Sequence, residues 1–182
     1  MKVLLDTCVL YPTVMREVLL GVADQDLFEP LWSERILGEW SRAAAKLGPQ
    51  GQVQADAEIA MVSTHWPKAK VALKPSLMDR LWLPDANDVH VLAAAIAGHA
   101  DVILTVNAKD FPRNILAEEG LSRADPDAFL VGLYASSPEM VTKAVSRVHD
   151  EASRLSDRPW DLRKLMKKAR LPRLGKALTS TV

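Results

Sequence analysis

The strongest constraint on the fold is a predicted helix that runs directly into an apolar strand, between residues 85 and 106. After a cap at Asp85 or Asn87, apolar residues recur at helical spacing, and Gly98 is the expected end of the helix. The next run, residues 101–106, is apolar and of strand length, which is typical of a strand buried on both faces. A helix that feeds a buried strand predicts an α/β fold with a parallel sheet.

Other segments predict further elements of the same kind. Residues 2–5 form a short apolar strand that ends at Asp6, and residues 27–32 form a second extended segment. Gly48, Pro49 and Gly51 predict a break between helices, and residues 71–83 have no clear assignment. Helices are expected over residues 12–22, 34–46 (with Ser33 as the N-cap), 53–64, 138–155 and 161–170, where Pro172 ends the last one.

Charge is unevenly distributed along a chain whose net charge is zero. Residues 1–124 hold 12 Lys+Arg against 16 Asp+Glu, a net of −4, and residues 125–182 hold 11 against 7, a net of +4. Strand patterns also stop near residue 124, so we predict a domain over 1–124 and a helical, basic extension over 125–182. Over 160–182, seven basic residues oppose only Asp161. This excess of positive charge has two equally favoured interpretations: a surface for an anionic partner, or an ordinary helix face exposed to solvent.

Cysteine usage and hydropathy predict the compartment. Cys8 is the single cysteine, so an internal disulfide is impossible and a reducing environment is favoured. We interpret its side chain as a buried structural thiol. Asp6 interrupts the first apolar run too early for a signal peptide, and no stretch approaches the length of a membrane span. The sequence therefore predicts a cytoplasmic protein with no membrane partner.

Four acids stand at predicted strand ends or near helix starts: Asp6, Glu39, Asp88 and Asp110. Asp6 closes an otherwise apolar strand, where a lone buried carboxylate costs several kcal/mol unless it is paired or binds a metal. Each acid also has an ordinary alternative: Asp6 and Asp110 as turn residues, Glu39 facing solvent, and Asp88 stabilised by a helix dipole. If the strands at 2–5 and 101–106 are parallel neighbours, all four acids approach one edge of the sheet.

Such a constellation suits a hard cation. Mg²⁺ and Mn²⁺ prefer several oxygen ligands, and they can activate water for attack on a phosphodiester. No side-chain nucleophile is then required, and the sequence lacks the G-x-S-x-G, P-loop, G-x-G-x-x-G and H-E-x-x-H patterns. A haloacid dehalogenase phosphatase also starts with an aspartate after a strand, but it needs a second acid where Cys8 stands.

Four motifs, found in order over roughly residues 1–120, resemble those of PIN-domain nucleases. They are MKVLLDTCVL (residues 1–10, with Asp6), SERILGEW (33–40, with Glu39), LPDANDVHVLAAA (83–95, with Asp88) and ADVILTVNAKDF (100–111, with Asp110). The resemblance implies a PIN-like three-layer α/β fold with a central parallel sheet flanked by helices, followed by a helical C-terminal extension. It also implies that these four acids bind Mg²⁺ or Mn²⁺ and hydrolyse RNA.

The fourth motif leaves a choice of ligand. Many family members have an aspartate where this chain has Asn107, and others have an asparagine with the acid three residues later, as at Asp110. Asp110 is the fourth acid in our interpretation, with Asn107 as a neutral ligand or a substrate contact. Two further candidate site residues are Asp85 and Thr105. Lys109 and Arg113 are candidate contacts to the RNA backbone.

The resemblance further implies a biological role. Bacterial PIN proteins of this size are very often VapC-type toxins of toxin–antitoxin pairs, which a small antitoxin protein holds inactive and which commonly form dimers. The expected partners are an RNA substrate and a cognate antitoxin, in a homodimer or a toxin–antitoxin hetero-oligomer. The alternative is a catalytically degenerate PIN fold that binds nucleic acid or protein, and the presence of all four acids favours the enzyme.

Overall fold

A parallel five-stranded sheet organises one part of the chain. The computed structural model describes residues 1–180. The strands are β1 (Lys2–Leu5), β2 (Glu29–Ser33), β3 (Lys70–Val71), β4 (Val102–Leu104) and β5 (Ser122–Ala124). Their order is β3-β2-β1-β4-β5, and every neighbouring pair is parallel. The predicted α/β class, with helices around a parallel sheet and a helical C-terminal region, is confirmed.

Helices make up most of the remaining described chain. They are α1 (Thr7–Leu10), α2 (Thr13–Ala23), α3 (Glu34–Ala45), α4 (Pro49–His65), α5 (Pro75–Arg80), α6 (Val89–Ala97), α7 (Arg113–Glu118), α8 (Pro126–Ser136), α9 (Pro138–Arg154), α10 (Leu162–Lys168) and α11 (Pro172–Thr179). Two short 3-10 turns, Ala86–Asp88 and Ala108–Asp110, precede α6 and α7. No helix within residues 1–180 combines the length and the apolar character that a bilayer crossing requires.

The chain divides into two compact units. The first consists of Met1–Tyr11 and Glu29–Ala124 and contains the whole sheet. The second consists of Pro12–Phe28 and the chain from Asp125 onward, and its elements are all helical. The segment that contains α2 therefore groups with the later helices, and the division into domains at residue 124 stays a prediction.

Two prolines begin helices where the sequence predicted interruptions. Pro49 is the first residue of α4, so this helix is longer than the predicted 53–64 and includes Gly51. Pro172, expected to end the last helix, begins α11 instead. Proline has no backbone N–H and a fixed φ, and the first turn of a helix tolerates both properties. The unassigned segment 71–83 contains the end of β3 and all of α5.

The core of the first unit lies on the central strands. The fully buried side chains of β1 and β4 include Leu4, Leu5, Ile103 and Leu104. Helix α6 packs on β1, β2 and β4 and is itself almost entirely buried. Burying one such leucine contributes about 1.5–3 kcal/mol, so the unbroken apolar runs of β1 and β4 are what the sheet centre requires.

The second unit contains a buried carboxylate with a structural role. Asp127, on α8, is 4% exposed, and its two oxygens accept hydrogen bonds from the backbone N–H groups of Arg173 and Leu174, both at 2.9 Å. These are first-turn amides of α11, which helix geometry leaves without partners. Asp127 thereby caps α11 and attaches it to α8.

Helix α6 ends at Gly98, as predicted, but the left-handed conformation that usually favours a terminal glycine falls on the next residue. Gly98 has a right-handed conformation, and His99 takes the positive φ, at 53°. The N–H of Ala100 donates to the carbonyl of Ala95 (2.9 Å), which closes the helix with a residue other than glycine in the left-handed position. Glycine is needed at 98 because a Cβ there would lie 2.9 Å from both Leu31 Cδ1 and Val71 Cγ2.

We therefore expect opposite effects from substituting these two neighbours. Gly98→Ala should destabilise the protein by about 1–3 kcal/mol, because its methyl group overpacks the contact with β2 and β3. His99→Gly should stabilise it by up to about 1 kcal/mol, because glycine adopts the positive φ without a steric cost. Chemical denaturation of both variants measures the two shifts. Equal stability of Gly98→Ala and wild type would contradict the close approach.

Candidate metal centre

The site begins with the pairing of β1 and β4. These strands are parallel, with Leu5 opposite Leu104, and the N–H of Asp6 continues the ladder to the Leu104 carbonyl (3.2 Å). The sheet order extends from β1 to β2 on one side and to β4 on the other, which makes this a topological switch point. Ligands of open parallel sheets bind outside the carboxyl ends of the strands at such points. The condition under which the acids were expected to approach one edge, parallel pairing of these two strands, is met.

Asp6 is 7% exposed and held by side chains rather than by the following helix. Its Oδ2 accepts hydrogen bonds from Thr105 Oγ1 (2.7 Å) and from Cys8 Sγ (3.0 Å). Although Asp6 is the N-cap of α1, its side chain makes no capping hydrogen bond. The structure therefore does not support the alternative in which Asp6 caps the following turn. The Asp6 carboxylate remains a candidate metal ligand.

Cys8 remains a hydrogen-bond donor at neutral pH. Burial, reinforced by the negative charge of Asp6, raises the pKa of the Cys8 thiol to about 12. Its sulfur also lies 3.4 Å from Thr105 Oγ1. The sequence interpretation of Cys8 as a buried structural thiol was incomplete, because the side chain is only partly buried and helps to orient Asp6.

Three acids lie together beside this point. One carboxylate oxygen each of Asp85, Asp88 and Asp110 lies within 4.8 Å of the others. Asp85 precedes the first 3-10 turn and caps it through Oδ1, which accepts from the N–H of Asn87 (2.9 Å). Asp88 ends that turn, and Asp110 ends the second one. Short turns at both positions thus bring the third and fourth motifs into one cluster.

Asn107 connects two of these acids. Its Nδ2 donates to Asp110 Oδ2 (2.5 Å) and approaches Asp88 Oδ2 (3.4 Å), while its backbone N–H donates to Thr105 Oγ1 (3.0 Å). The Asn107 amide hydrogens therefore lie between the carboxylates of Asp88 and Asp110, which repel each other and favour positive charge at this position. The structure brings both candidates for the fourth position, Asn107 and Asp110, to the same place.

The cluster makes Asp88 harder to ionise. Burial raises the pKa of Asp88 to about 6, and the negative charges of Asp6, Asp85 and Asp110 add to the shift. Since the charge of Asp6 acts on Asp88, the strand-end carboxylate and the three-acid cluster belong to one electrostatic site. A divalent cation would relieve this repulsion.

Glu39 is held from two sides. Its Oε2 accepts a hydrogen bond from Thr7 Oγ1 (2.9 Å), and its Oε1 lies 2.8 Å from Nε2 of His90 and 3.5 Å from Nε of Arg35. The ring N–H of His90 is poorly aligned for a hydrogen bond, so the contact between His90 and Glu39 is electrostatic. Burial disfavours the Glu39 carboxylate, but His90, Thr7 and Arg35 together hold its pKa below the usual value.

Asp6 and Glu39 are not members of the three-acid group among residues 1–180. Each has its oxygens engaged by neighbours that the sequence interpretation did not assign to the site, namely Cys8, Thr7 and His90. His90 has a fully buried side chain, and its charge also lowers the pKa of Asp88. The sequence signal that could have found His90 is its position two residues after the candidate ligand Asp88. Its contact with Glu39 was not predictable, because that contact depends on the packing of α6 near α3.

Basic residues border the acids. Lys109 and Arg113 are exposed on either side of the Asp110 loop. A groove of about 780 Å³ runs beside α3 and β3 and includes Arg35, Arg42 and Lys70 in its lining. Arg35 joins this groove to the site, because it contacts both Glu39 and the backbone carbonyl of Asn87 (3.4 Å).

The donor set fits a hard divalent cation. Its members are carboxylate oxygens, the ligand type that Mg²⁺ and Mn²⁺ prefer, and no thiolate is among them. Three carboxylates whose oxygens converge within 4.8 Å, with a raised pKa at Asp88, are costly without a compensating positive charge. The arrangement is chemically suited to binding such an ion and positioning a phosphodiester beside it.

Comparison with protein families agrees with this geometry. A family model described as PIN domain matches residues 2–109, more than half of the chain. The matched segment begins with β1, includes Asp6, Glu39 and the turn at 85–88, and ends one residue before Asp110. No curated protein and no solved structure matches the chain.

Replacing Asp88 by Asn should have effects of opposite sign with and without metal. Because the pKa of Asp88 is about 6 in the folded state against an ordinary value of 3.8, its ionisation lowers stability as pH rises through 4 to 6. Without divalent ions at pH 7, we expect Asp88→Asn to stabilise the fold by about 1 kcal/mol, allowing for solvent screening. The gain should vanish below about pH 4.

Adding Mn²⁺ should then raise the unfolding temperature of the wild type by several degrees and that of Asp88→Asn much less. Thermal unfolding over a pH series, with and without Mn²⁺, measures both effects. Asp79→Asn, at an exposed position on α5, is the matched control and should follow the wild type. An equal Mn²⁺ shift in all three proteins would contradict the role of Asp88.

Proposed function

Because the chain belongs to the PIN domain family, we propose that it is a metal-dependent endoribonuclease that hydrolyses RNA phosphodiester bonds. The observation that carries this proposal is the convergence of Asp85, Asp88 and Asp110 at the edge of the sheet where Asp6 ends β1. The family supplies the nuclease type of fold, and the acidic cluster supplies a place for the cation that such hydrolysis uses.

The proposed ligands of Mg²⁺ or Mn²⁺ are Asp6, Glu39, Asp88 and Asp110, with Asp85 and Asn107 at the margin. When bound, the ion would lower the pKa of water and neutralise charge on the scissile phosphate. The chain's own residues orient the ligands. Thr105 and Cys8 hold one oxygen of Asp6, and Thr7 and His90 hold the two oxygens of Glu39. Fixed carboxylates reduce the reorganisation needed at the moment of reaction.

Basic residues beside the acids support a nucleic-acid substrate. We propose that Lys109 and Arg113 contact the phosphate backbone near Asp110, and that the groove bordered by Arg35, Arg42 and Lys70 accommodates an adjacent part of the strand. Lys70 is partly neutralised by an ion pair with Glu34, so Arg35 and Arg42 are the main cations of this groove. We also propose a cytoplasmic location, which suits an RNA substrate and an unpaired thiol.

The biological role that we propose is that of a VapC-type toxin in a bacterial toxin–antitoxin pair. The support is the family membership together with the motif resemblance. A small antitoxin protein would then be the cognate partner. The chain would form a homodimer or a toxin–antitoxin hetero-oligomer. Induced expression should arrest bacterial growth, and co-expression of a short adjacent reading frame should relieve the arrest. Unimpeded growth during expression of active nuclease would contradict this role.

Cleavage should depend on the acids in a graded way. Asp6→Asn should abolish Mn²⁺-dependent RNA cleavage, because it removes a proposed ligand but keeps the side-chain shape. Thr105→Val should lower activity by about 10–100-fold, because it removes the 2.7 Å hydrogen bond that orients Asp6 but no ligand. Asp79→Asn, at an exposed position on α5, is the control and should cleave like the wild type.

Single-turnover cleavage of a labelled RNA and calorimetric titration with Mn²⁺ test these variants. Undiminished cleavage by a well-folded Asp6→Asn protein would refute the assignment. If the wild type binds no Mn²⁺, the proposed enzyme is wrong, and a binding module without catalysis becomes the better explanation.

A further inference from the structure

The C-terminal helices α10 and α11, with the turn between them, form a structure that we call the basic hairpin (residues 162–179). Its exposed side carries seven cations and no exposed carboxylate. These cations are Arg163, Lys164, Lys167, Lys168, Arg170, Arg173 and Lys176. None of the large hydrophobic residues exposed in the described chain lies within the hairpin.

The opposite side of the hairpin fixes the spacing of these charges. Leu165, Met166, Leu171 and Leu174 are fully or almost fully buried. The helices approach so closely that a Cβ on Gly175 would lie 2.7 Å from Met166 Cβ. Together with the capping of α11 by Asp127, these contacts make the hairpin a defined platform rather than a loose tail.

The cations lack acidic partners within the described chain. The single nearby acid in sequence, Asp161, is engaged as the N-cap of α10, where its Oδ1 accepts from the N–H of Lys164 (2.8 Å). Lys168 lies over the ring of Trp160, with Nζ 4.9 Å from the ring centroid. None of the seven forms an ion pair among residues 1–180, whereas exposed cations elsewhere do, as in the Arg80–Glu119 pair (2.6 Å).

Several of these cations occupy positions where they disfavour folding. Arg163 and Lys164 stand in the first turn of α10, at the positive end of the helix dipole. Lys167 is four residues after Arg163, and like charges at this spacing destabilise a helix. The helix dipole favours Lys167 and Lys168 in the last turn of α10 and Lys176 in the last turn of α11.

Arg170 is the clearest case. It has a φ of 61° at the end of α10, where its N–H donates to Lys167 O (3.1 Å) and the N–H of Leu171 donates to Met166 O (2.8 Å). This is the helix-terminating motif whose left-handed position favours glycine. An arginine there costs stability and forms no ion pair within residues 1–180, so its exposed charge is available to a ligand.

We propose that the basic hairpin is a second RNA-binding surface, which binds the phosphate backbone of RNA. The identity of the polyanion as RNA rests on the proposed function. Protein interfaces have an apolar core, which the exposed side of the hairpin lacks, whereas binding to a phosphate chain requires only regularly spaced cations. An acidic protein partner is therefore the less favoured occupant.

Fluorescence anisotropy with the full-length chain tests the proposal. The probe is a fluorescein-labelled single-stranded RNA in EDTA, which prevents metal-dependent cleavage, titrated at a series of KCl concentrations. The test variant is Arg163→Gln/Lys164→Gln/Lys167→Gln. The charge-matched control is Lys46→Gln/Lys68→Gln/Lys74→Gln, at three exposed lysines of the sheet unit. We expect the test variant to bind RNA about ten-fold more weakly at low salt, with a log–log salt slope shallower by about 2.

Arg170→Gly separates the role of the charge from a role in folding. It should raise the midpoint of thermal unfolding, because glycine suits the positive φ, and yet weaken RNA binding, with a slope shallower by about 0.7. A residue that serves only the fold would lose stability and binding together.

Equal RNA affinities of the wild type and the test variant would overturn the proposal, as would an equal loss in the control. Binding of polyglutamate that the test variant loses, without binding of RNA, would also overturn it and indicate an acidic protein partner. Cleavage assays with Mn²⁺ are independent of these outcomes. RNA bound through the hairpin but never cleaved would contradict the proposed nuclease and leave the surface supported.

Discussion

The parallel pairing of β1 with β4 is the interaction on which the candidate site depends. It places Asp6 and Thr105 side by side at the carboxyl ends of neighbouring strands, from which the 2.7 Å hydrogen bond between them follows. The loop after β4 then carries Asn107 and Asp110 toward the turn that contains Asp88. A shift of one residue in the register would exchange the faces of the buried strand, so the apolar side chains of β4 and the geometry of the acids are specified together.

Neutral donors keep the carboxylates apart and oriented. The hydroxyls of Thr105 and Thr7, the thiol of Cys8 and the amide of Asn107 each donate to an acid without adding charge. This explains how several carboxylates coexist in a folded chain, and why the remaining strain appears at Asp88, the acid that the charges of Asp6, Asp85 and Asp110 all reach. The same donors define the directions from which a cation can approach the oxygens.

The sequence was sufficient for the elements that apolar pattern alone defines, such as β1, β4 and α6, and for the capping of α3 by Ser33, whose hydroxyl accepts from Ile36 N–H (3.2 Å). It was misleading at Pro49 and Pro172, because a proline that interrupts one helix also suits the first turn of the next. In the candidate site, position along the chain pointed to the acids, and their roles as ligands stay a prediction. It could not identify His90 or Cys8 as their neighbours, because those contacts arise only when distant segments pack.

The two edges of the sheet affect how this protein can associate with other chains. The edge strands β3 and β5 are two and three residues long, and Lys70 is exposed on the first of them. So short a row of free backbone groups, flanked by charge, gives little template for another strand to extend the sheet. Edge-to-edge aggregation is thereby suppressed. Any specific assembly must be built from side-chain surfaces on helices and loops, where its geometry and its affinity can be set by individual residues.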